Sequence, residues 1–504
     1  MPSMTSSPAP DTTRVREGTE AYAVAIALLT LLGLVLRLTF FNGPVGSDDI
    51  RYFQSARDIV HGGRIIALDH ATSRLAFLLV VGAPAALAGS IFVAGLVNIV
   101  VSVVTQVVAS IFAFRELGPR AGVIVAAVLA FDGLALSYSG MLMPDNLLAL
   151  LFLVCAILLY LAERAAPARA LVLFLWAGVA AGAAYSSKDT GILLLPPAFA
   201  WALWQPNRPL RERLACCATF AAGFAGVWVI EGLYFLLRAG DFLYKPHALA
   251  AAHNSQMQPA HGLIDFVRHG WWNLAHVRRS VWLSGVPLLV GAVCWLLVLW
   301  PRRRTTVFAL IGAFVTAFLL FGTSSFSRLV NLPYQERYLI PVLPCVAIVL
   351  ADVLERWRAA TRAPVLAAIA LACCIGGFVG AQQRSGRLYF TEGLRNAAIA
   401  VKALPNDGRP VLAASQIRLG VSFYLTPSVA SRVHDARDYP RGSAGYYLTV
   451  IRDGAPIVSD TAPAPRGLGT PYLSVAVDQR RETLWSPHTP EVQDSAVVYL
   501  IGPR

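Results

Sequence analysis

Residues 91–114 read IFVAGLVNIVVSVVTQVVASIFAF and end at Arg115; past Gly118, Pro119 and Arg120 a second apolar run, AGVIVAAVLAFDGLALSY, fills 121–138. As helices rising 1.5 Å per residue, such runs are long enough to cross a hydrocarbon core of roughly 30 Å. The arginines between them favour a cytoplasmic turn. Working outward in both directions, the same pattern recurs and predicts eleven spans: 21–41, 91–114, 120–138, 146–163, 170–187, 190–204, 213–238, 282–300, 304–323, 337–355 and 363–382. The stretch from Leu75 to Val93 is also apolar, but Gly82, Pro84 and Gly89 interrupt it. Read as non-spanning, it leaves Arg14 and Arg16 on the same side as the other basic links.

Five short links carry the arginines: Arg115 and Arg120; Arg164 and Arg169; Arg208, Arg211 and Arg213; Arg302, Arg303 and Arg304; Arg356, Arg358 and Arg362. With these inside, the N-terminal tail 1–20 is cytoplasmic and the C-terminus is outside. The outer face then holds the loop 42–90, the turn 139–145, the turn from Ser187 to Thr190, the loops 239–281 and 324–336, and the tail 383–504. The cytoplasmic links are too short to build a site, so the outer face is where chemistry belongs. The expected architecture is an all-α polytopic bundle over 21–382 followed by a small extracytoplasmic α/β domain over 383–504. In that tail an amphipathic helix is expected from Phe390 to Leu404, ended by Pro405-Asn406-Asp407-Gly408. Strands are expected at Pro410–Ala413, Tyr446–Ile451, Tyr472–Val477 and Ala496–Ile501.

Composition agrees with a membrane protein. Charged residues are 14% and apolar residues 56% of 504 positions, against roughly a quarter charged in soluble domains, and mean hydropathy is +0.58. The net charge of +13 lies mostly in arginines between apolar runs, which topology explains better than a nucleic-acid surface does. All seven cysteines fall inside apolar runs, where they act as small hydrophobes; neither a disulfide framework nor a zinc motif is visible. Met1 to Glu20 lacks the pattern of a cleaved secretory signal, so the first span is expected to be retained.

The first outer loop opens Gly46-Ser47-Asp48-Asp49-Ile50-Arg51-Tyr52 and runs through a short helix to His61-Gly62-Gly63. Alone, this reads as a helix capped by Ser47 or Asp48. Asp145, in Met143-Pro144-Asp145-Asn146, sits in a second outer turn and also reads as a cap. Asp132 and Glu231 lie about 10 Å below the outer ends of their spans, where an acid is either a buried hydrogen-bonder or lines a polar cavity. Lys188 and Arg337 add cations on the same side, as snorkelling side chains or as an anion site. Five histidines in 239–281 (His247, His253, His261, His269, His276) have no metal-ligand spacing. With Trp271 and Trp272, they fit a lipid-headgroup or glycan surface better.

Together these motifs resemble the GT-C superfamily of membrane glycosyltransferases, in the branch with the protein O-mannosyltransferases and the aminoarabinose transferase of lipid A. Leu36-Arg37-Leu38 is similar to the family's motif at the end of its first span. Asp48-Asp49-Ile50-Arg51-Tyr52 resembles its catalytic acidic loop, which implies that Asp48 is the catalytic carboxylate. Pro144-Asp145-Asn146 resembles its second acidic turn. Gly182 to Pro196, with Lys188, resembles its glycine-rich span, and Arg337-Tyr338-Leu339-Ile340-Pro341 its Arg-Tyr-Leu segment. Asp49 stands where the family has Glu, and Ser187 where Thr is usual. The family's Lys-Pro-Pro element is missing; His70-Ala71-Thr72-Ser73-Arg74 occupies that place, so Arg74 is the candidate substitute.

The resemblance implies an inverting transfer from a polyprenyl-phosphate sugar to a lipid, glycan or protein hydroxyl, at the outer face of a bacterial inner membrane. The implied catalytic acids are Asp48, Asp49 and Asp145; Arg337, Lys188, Tyr338 and Arg74 would hold the donor phosphate. No cofactor is required, a divalent cation between paired carboxylates being the alternative, and no nucleic acid is a partner. The rival from another class is a transporter of lipid-linked glycan or ions that uses the intramembrane acids; the absence of internal repeats counts mildly against it.

Overall fold

The computed structural model describes residues 12–41, 48–62, 65, 69–256, 262–272, 304–323, 336–358, 371–372, 375–379, 391–422, 424–436, 444–452, 455–456, 471–475 and 495–501. The first helix, α1 (Thr12–Thr39), leads to α2 (Asp48–Val60), α3 (Leu75–Leu87), α4 (Ile91–Glu116), α5 (Pro119–Phe131), α6 (Gly133–Tyr138) and α7 (Asp145–Arg164). Next come α8 (Pro167–Ser187), a 3₁₀ turn Asp189–Leu194 running into α9 (Leu195–Leu203), α10 (Leu210–Ala239), α11 (Tyr244–Gln256) and α12 (263–272). The bundle continues with α13 (Thr306–Phe321), a 3₁₀ turn Glu336–Val342 and α14 (Leu343–Arg358).

Among the described residues six helices are long and apolar enough to cross a membrane: Thr19–Thr39, Ile91–Glu116, Asp145–Arg164, Pro167–Ser187, Leu210–Ala239 and Arg337–Arg356. Shorter apolar helices occupy Leu75–Leu87, Pro119–Phe131, Asp189–Leu203 and Thr306–Phe321. The expected span 282–300 and most of 363–382 lie outside the described residues. The expected continuous span 120–138 is broken: Asp132 adopts φ −63°, ψ 120° and caps α6 by accepting the Ala135 amide at 2.8 Å. A side chain that offers the backbone a local partner makes such a break inexpensive.

Segment α3 is about 20 Å long at 1.5 Å per residue, too short for a hydrocarbon core of roughly 30 Å. It contains a π turn at Leu78–Gly82 and ends where Gly89 takes φ 66° to turn the chain into α4. Its apolar side chains Phe77, Leu78 and Val81 pack with Ile50, Phe53 and Ala56 of α2, and with Met141 and Met143 of the turn before α7. Full burial of residues such as Ile50 and Phe53 contributes about 1.5–3 kcal/mol each. That packing presents the N-terminal turn of α2 to the end of α7.

Close approach of α8 and α10 fixes the other side. A Cβ at Gly178 would stand 2.0 Å from the Phe220 carbonyl oxygen, and one at Gly223 would stand 2.2 Å from that of Leu175. Small residues at four-residue spacing, Gly178 and Gly182, let two membrane helices meet backbone to backbone. Beyond α8 the chain folds back so tightly that Gly191 has room for no side chain against Ala184 and Tyr185. Lys188 sits at that corner.

The C-terminal unit contains α15 (Thr391–Ala403), α16 (Ser415–Ser422) and α17 (Pro427–Ala430). Its strands are β1 (Val411–Ala413), β2 (Val433–Asp435), β3 (Gly445–Arg452), β4 (Ala455–Pro456), β5 (Leu473–Val475) and β6 (Ser495–Ile501). The sheet order is β2-β1-β3-β6-β5, with β4 paired to β3. Strand β1 is parallel to β2 and β3; β3 and β6 are antiparallel from Gly445↔Ile501 to Ile451↔Ser495. Leu394, Ala397, Ala398 and Val401 form one face of α15, at helical spacing, and pack on Val411, Leu448, Val450 and Val498. The unit touches the bundle where Tyr424 meets Phe92 edge to face at 6.2 Å.

Candidate active site

Four stretches far apart in sequence converge beside the N-terminus of α2. Asp48 and Asp49 occupy its first turn, where the helix dipole favours negative charge. Asp48 Oδ2 stands 3.5 Å from Arg337 Nη2, with the two side chains 31% and 16% exposed. Arg337 also reaches Met143 Sδ at 2.8 Å, two residues before Asp145. Pro144, not Asp145, is the N-cap of α7, so Asp145 is the first helical residue and carries no capping bond. Its Oδ1 instead accepts from Lys188 Nζ at 2.6 Å, in a pair only 2% and 6% exposed.

Two tyrosines complete the floor. Lys188 Nζ lies 4.0 Å over the Tyr338 ring, and the Arg337 guanidinium 5.9 Å from the same ring. Arg74 donates to the Tyr52 hydroxyl and lies 5.0 Å over its ring. Two buried polar atoms here have no partner among the described residues, Asp145 Oδ2 and Arg337 Nε. Leaving such atoms unmade costs about 1–3 kcal/mol each, so the acceptor and the donor mark where a bound molecule gains most.

The electrostatics follow from burial and from this pairing. Burial pushes the Tyr52 hydroxyl well above the usual tyrosine range, with Arg74 opposing, so it stays protonated and can donate. Burial draws the Lys188 ammonium below the ordinary lysine value, and Asp145 opposes that shift. For Arg74 burial works downward, but Tyr52, Asp189, Asp48 and Asp145 together hold its charge more firmly than usual. His70 is lowered by burial, then by Arg74 and Arg51. Its neighbour Asp69 takes Arg51 at 2.6 Å.

Asp48, Asp145, Arg337, Lys188, Tyr338 and Arg74, all predicted from sequence, thus lie in one cluster. Asp49 is wholly buried. Its Oδ1 accepts the Ile50 amide at 3.0 Å, and its charge is felt by Tyr424 of the C-terminal unit. Asp132 is the helix cap described above. Glu231 is a buried acid paired at 3.5 Å with Lys245. Arg37, of the Leu-Arg-Leu motif, is spent within the bundle on Ser102, Gly33, Gln106 and Leu129. Of the histidines in 239–281, His247 pairs with Asp241 at 2.7 Å and His269 stacks on Trp272; the side chains of His253, His261 and His276 lie outside the described residues. Among the described residues no three His, Cys, Asp or Glu side chains converge as a metal site would require.

Sequence reasoning gave no role to Tyr52, Met143 or Lys245. One signal for Lys245 was present: only three of the 42 basic residues are lysines, Lys188, Lys245 and Lys402. Two of those three form buried ion pairs here.

Residues 75–230 match the family model described as dolichyl-phosphate-mannose-protein mannosyltransferase. No curated protein sequence matches the chain. Among solved structures, ArnT from Cupriavidus metallidurans in the apo state superposes with a TM-score of 0.55 at 16% identity, covering 85% of this chain and 93% of that one. The same protein bound to undecaprenyl phosphate gives a TM-score of 0.54 at 16% identity, covering 95% and 99%. The Archaeoglobus fulgidus oligosaccharyltransferase in the apo form gives 0.50 at 13% identity, covering 84% of this chain and 65% of that one.

The chain therefore has the fold of the GT-C membrane glycosyltransferases. Its motifs resemble those of the protein O-mannosyltransferase and aminoarabinose-transferase branch, and the family model matched over 75–230 agrees with that resemblance.

Proposed function

We propose that the protein transfers a sugar from a polyprenyl phosphate to an acceptor hydroxyl at the extracytoplasmic face of the membrane. The observation that carries this reading is the convergence of Asp48, Arg337, Asp145, Lys188 and Arg74 at one end of the bundle. A part-exposed carboxylate beside buried and partly buried cations suits a base next to a leaving phosphate. The family match and the relative bound to undecaprenyl phosphate support a lipid-linked donor. So does chemistry: nucleotide sugars are made in the cytoplasm, so an outward-facing transferase needs its sugar on a lipid carrier.

The reaction is a single displacement with inversion. The acceptor oxygen attacks the anomeric carbon, its proton passes to Asp48, and the C–O bond to phosphate breaks with the electron pair leaving on the phosphate oxygen. Asp48 fits this role better than Asp49, because its side chain is 31% exposed while Asp49 is wholly buried. Arg337 and Arg74, with Lys188 nearby, stabilise the charge that grows on the leaving phosphate. Asp145, with Oδ2 unpartnered, accepts from a sugar hydroxyl and orients the ring for attack. No step requires a metal.

The test is a comparison of polyprenyl-phosphate sugars and envelope glycans in cells with and without the gene. Donor should accumulate and one glycan should lose a sugar on deletion; an unchanged lipid-linked pool and glycan profile would refute the reading.

A further inference from the structure

A second buried ionic group lies behind the site and takes no part in the proposed chemistry. Glu231 of α10 and Lys245 of α11 are 4% and 3% exposed and stand 3.5 Å apart. Lys245 also donates to the Tyr185 carbonyl and lies 4.4 Å over the Tyr185 ring. Ser186 Oγ donates to Glu231 Oε1 at 2.7 Å and accepts the Ala76 amide at 3.2 Å. A hydroxyl can do both at once. The Ala76 amide is one of the first donors of α3, which its own helix cannot satisfy and for which Arg74 provides no side-chain cap.

Lys245, Glu231, Ser186 and the Ala76 amide therefore form one continuous chain across α11, α10, α8 and α3. Ser186 lies two residues before Lys188, and Ala76 two residues after Arg74. A buried ion pair is weak evidence of stability, since apolar residues of similar volume often serve as well. Its directed bonds, however, fix geometry as apolar contacts do not.

We infer that Glu231, held by Lys245, is a positioning residue that sets the spacing of Arg74 and Lys188 through Ser186. This rests on the proposed reading of those two cations as the donor-phosphate site. It gives the intramembrane acid a role distinct from proton coupling or catalysis.

The experiment measures binding of undecaprenyl phosphate to the purified full chain, together with its thermal unfolding. Ser186→Ala cuts the connection without changing charge. It should weaken binding by roughly threefold to tenfold, the worth of one hydrogen bond, and lower the unfolding temperature only modestly. Ser186→Thr keeps the hydroxyl and should restore most of the affinity. Arg74→Ala should cost less in the Ser186→Ala background than in the wild type, because the connection acts through Arg74. Glu231→Gln should show the same coupling to Arg74, and serves if Ser186→Ala does not fold. Wild-type affinity in folded Ser186→Ala, or losses that simply add to that of Arg74→Ala, would overturn the inference. A different outcome tests the reading beneath it: if Arg74→Ala and Lys188→Met both bind undecaprenyl phosphate normally, the donor-site assignment fails whatever Ser186 does.

Discussion

Arg337 Nη2 stands 3.5 Å from Asp48 Oδ2, an ion pair between residues 289 positions apart in sequence. The pair sets a carboxylate that reaches solvent beside a guanidinium that is mostly buried. In the proposed displacement the same cation stands beside the base and faces the leaving phosphate. One residue thus serves both halves of the proposed displacement.

Asp48→Asn is the cleanest test of this pair. Asn keeps the size and one acceptor but takes no proton at neutral pH, so turnover should fall by at least about a hundredfold. Donor binding and folding should persist. If Asp48 is only a helix cap, Asn is nearly as good and turnover should change little. Turnover of purified protein with a polyprenyl-phosphate sugar decides between them; a loss in Asp49→Asn alone would move the role one residue along.

The Lys188–Asp145 pair makes a different prediction. Removing one partner of a buried pair strands the other charge at a cost of about 3–5 kcal/mol. Lys188→Met and Asp145→Asn should each lower the thermal unfolding temperature. The double variant should recover much of the stability, and turnover should stay low in all three. Full stability in both single variants would mean that the pair is not buried in the working protein.

Topology can be read directly. Asp48, Asp145, Lys188 and Arg337 meet in one cluster, so the links that carry them share one side of the membrane. Reporters fused after Arg120, Arg208 and Arg304 should read cytoplasmic, and fusions after Ala67 and Asp407 external. A cytoplasmic signal at Ala67 would place the site on the wrong side for a lipid-linked donor.

His70 predicts a pH dependence. Its ordinary value is 6.5, and burial, Arg74 and Arg51 lower it in the native state. The unfolded chain therefore takes up the proton first as pH falls, and the native state loses stability below 6.5. Asp69 and Asp48 also face the ring and oppose this shift. Thermal unfolding temperature should fall as pH drops below 6.5, and fall less in His70→Gln. Equal slopes in the two proteins would show that His70 is not the group responsible.

Much of this protein is local and was therefore legible. The apolar runs at 91–114 and 146–163 are helices because they can be nothing else in lipid, where every backbone group must be satisfied within its own segment. The interruption by Gly82, Pro84 and Gly89 coincides with the π turn and the end of the short helix α3. The expected strands near Val411, Tyr446, Leu473 and Ala496 coincide with β1, β3, β5 and β6. Strand β2 (Val433–Asp435) was missed, because three residues between polar turns carry too little periodicity to register.

The sequence by itself determined that the chain is a polytopic bundle, and which acids and cations stand in or beside the links between its apolar runs. Those are properties of composition and of order along the chain. Only the tertiary structure decided that Arg337 faces Asp48 while Lys188 faces Asp145, that Asp132 breaks a helix, and that Glu231 is bound to Lys245 and Ser186. Those pairings depend on how closely α8 meets α10 and where α3 turns back onto α2. Such distances are set by packing between segments distant in sequence, and no spacing along the chain encodes them.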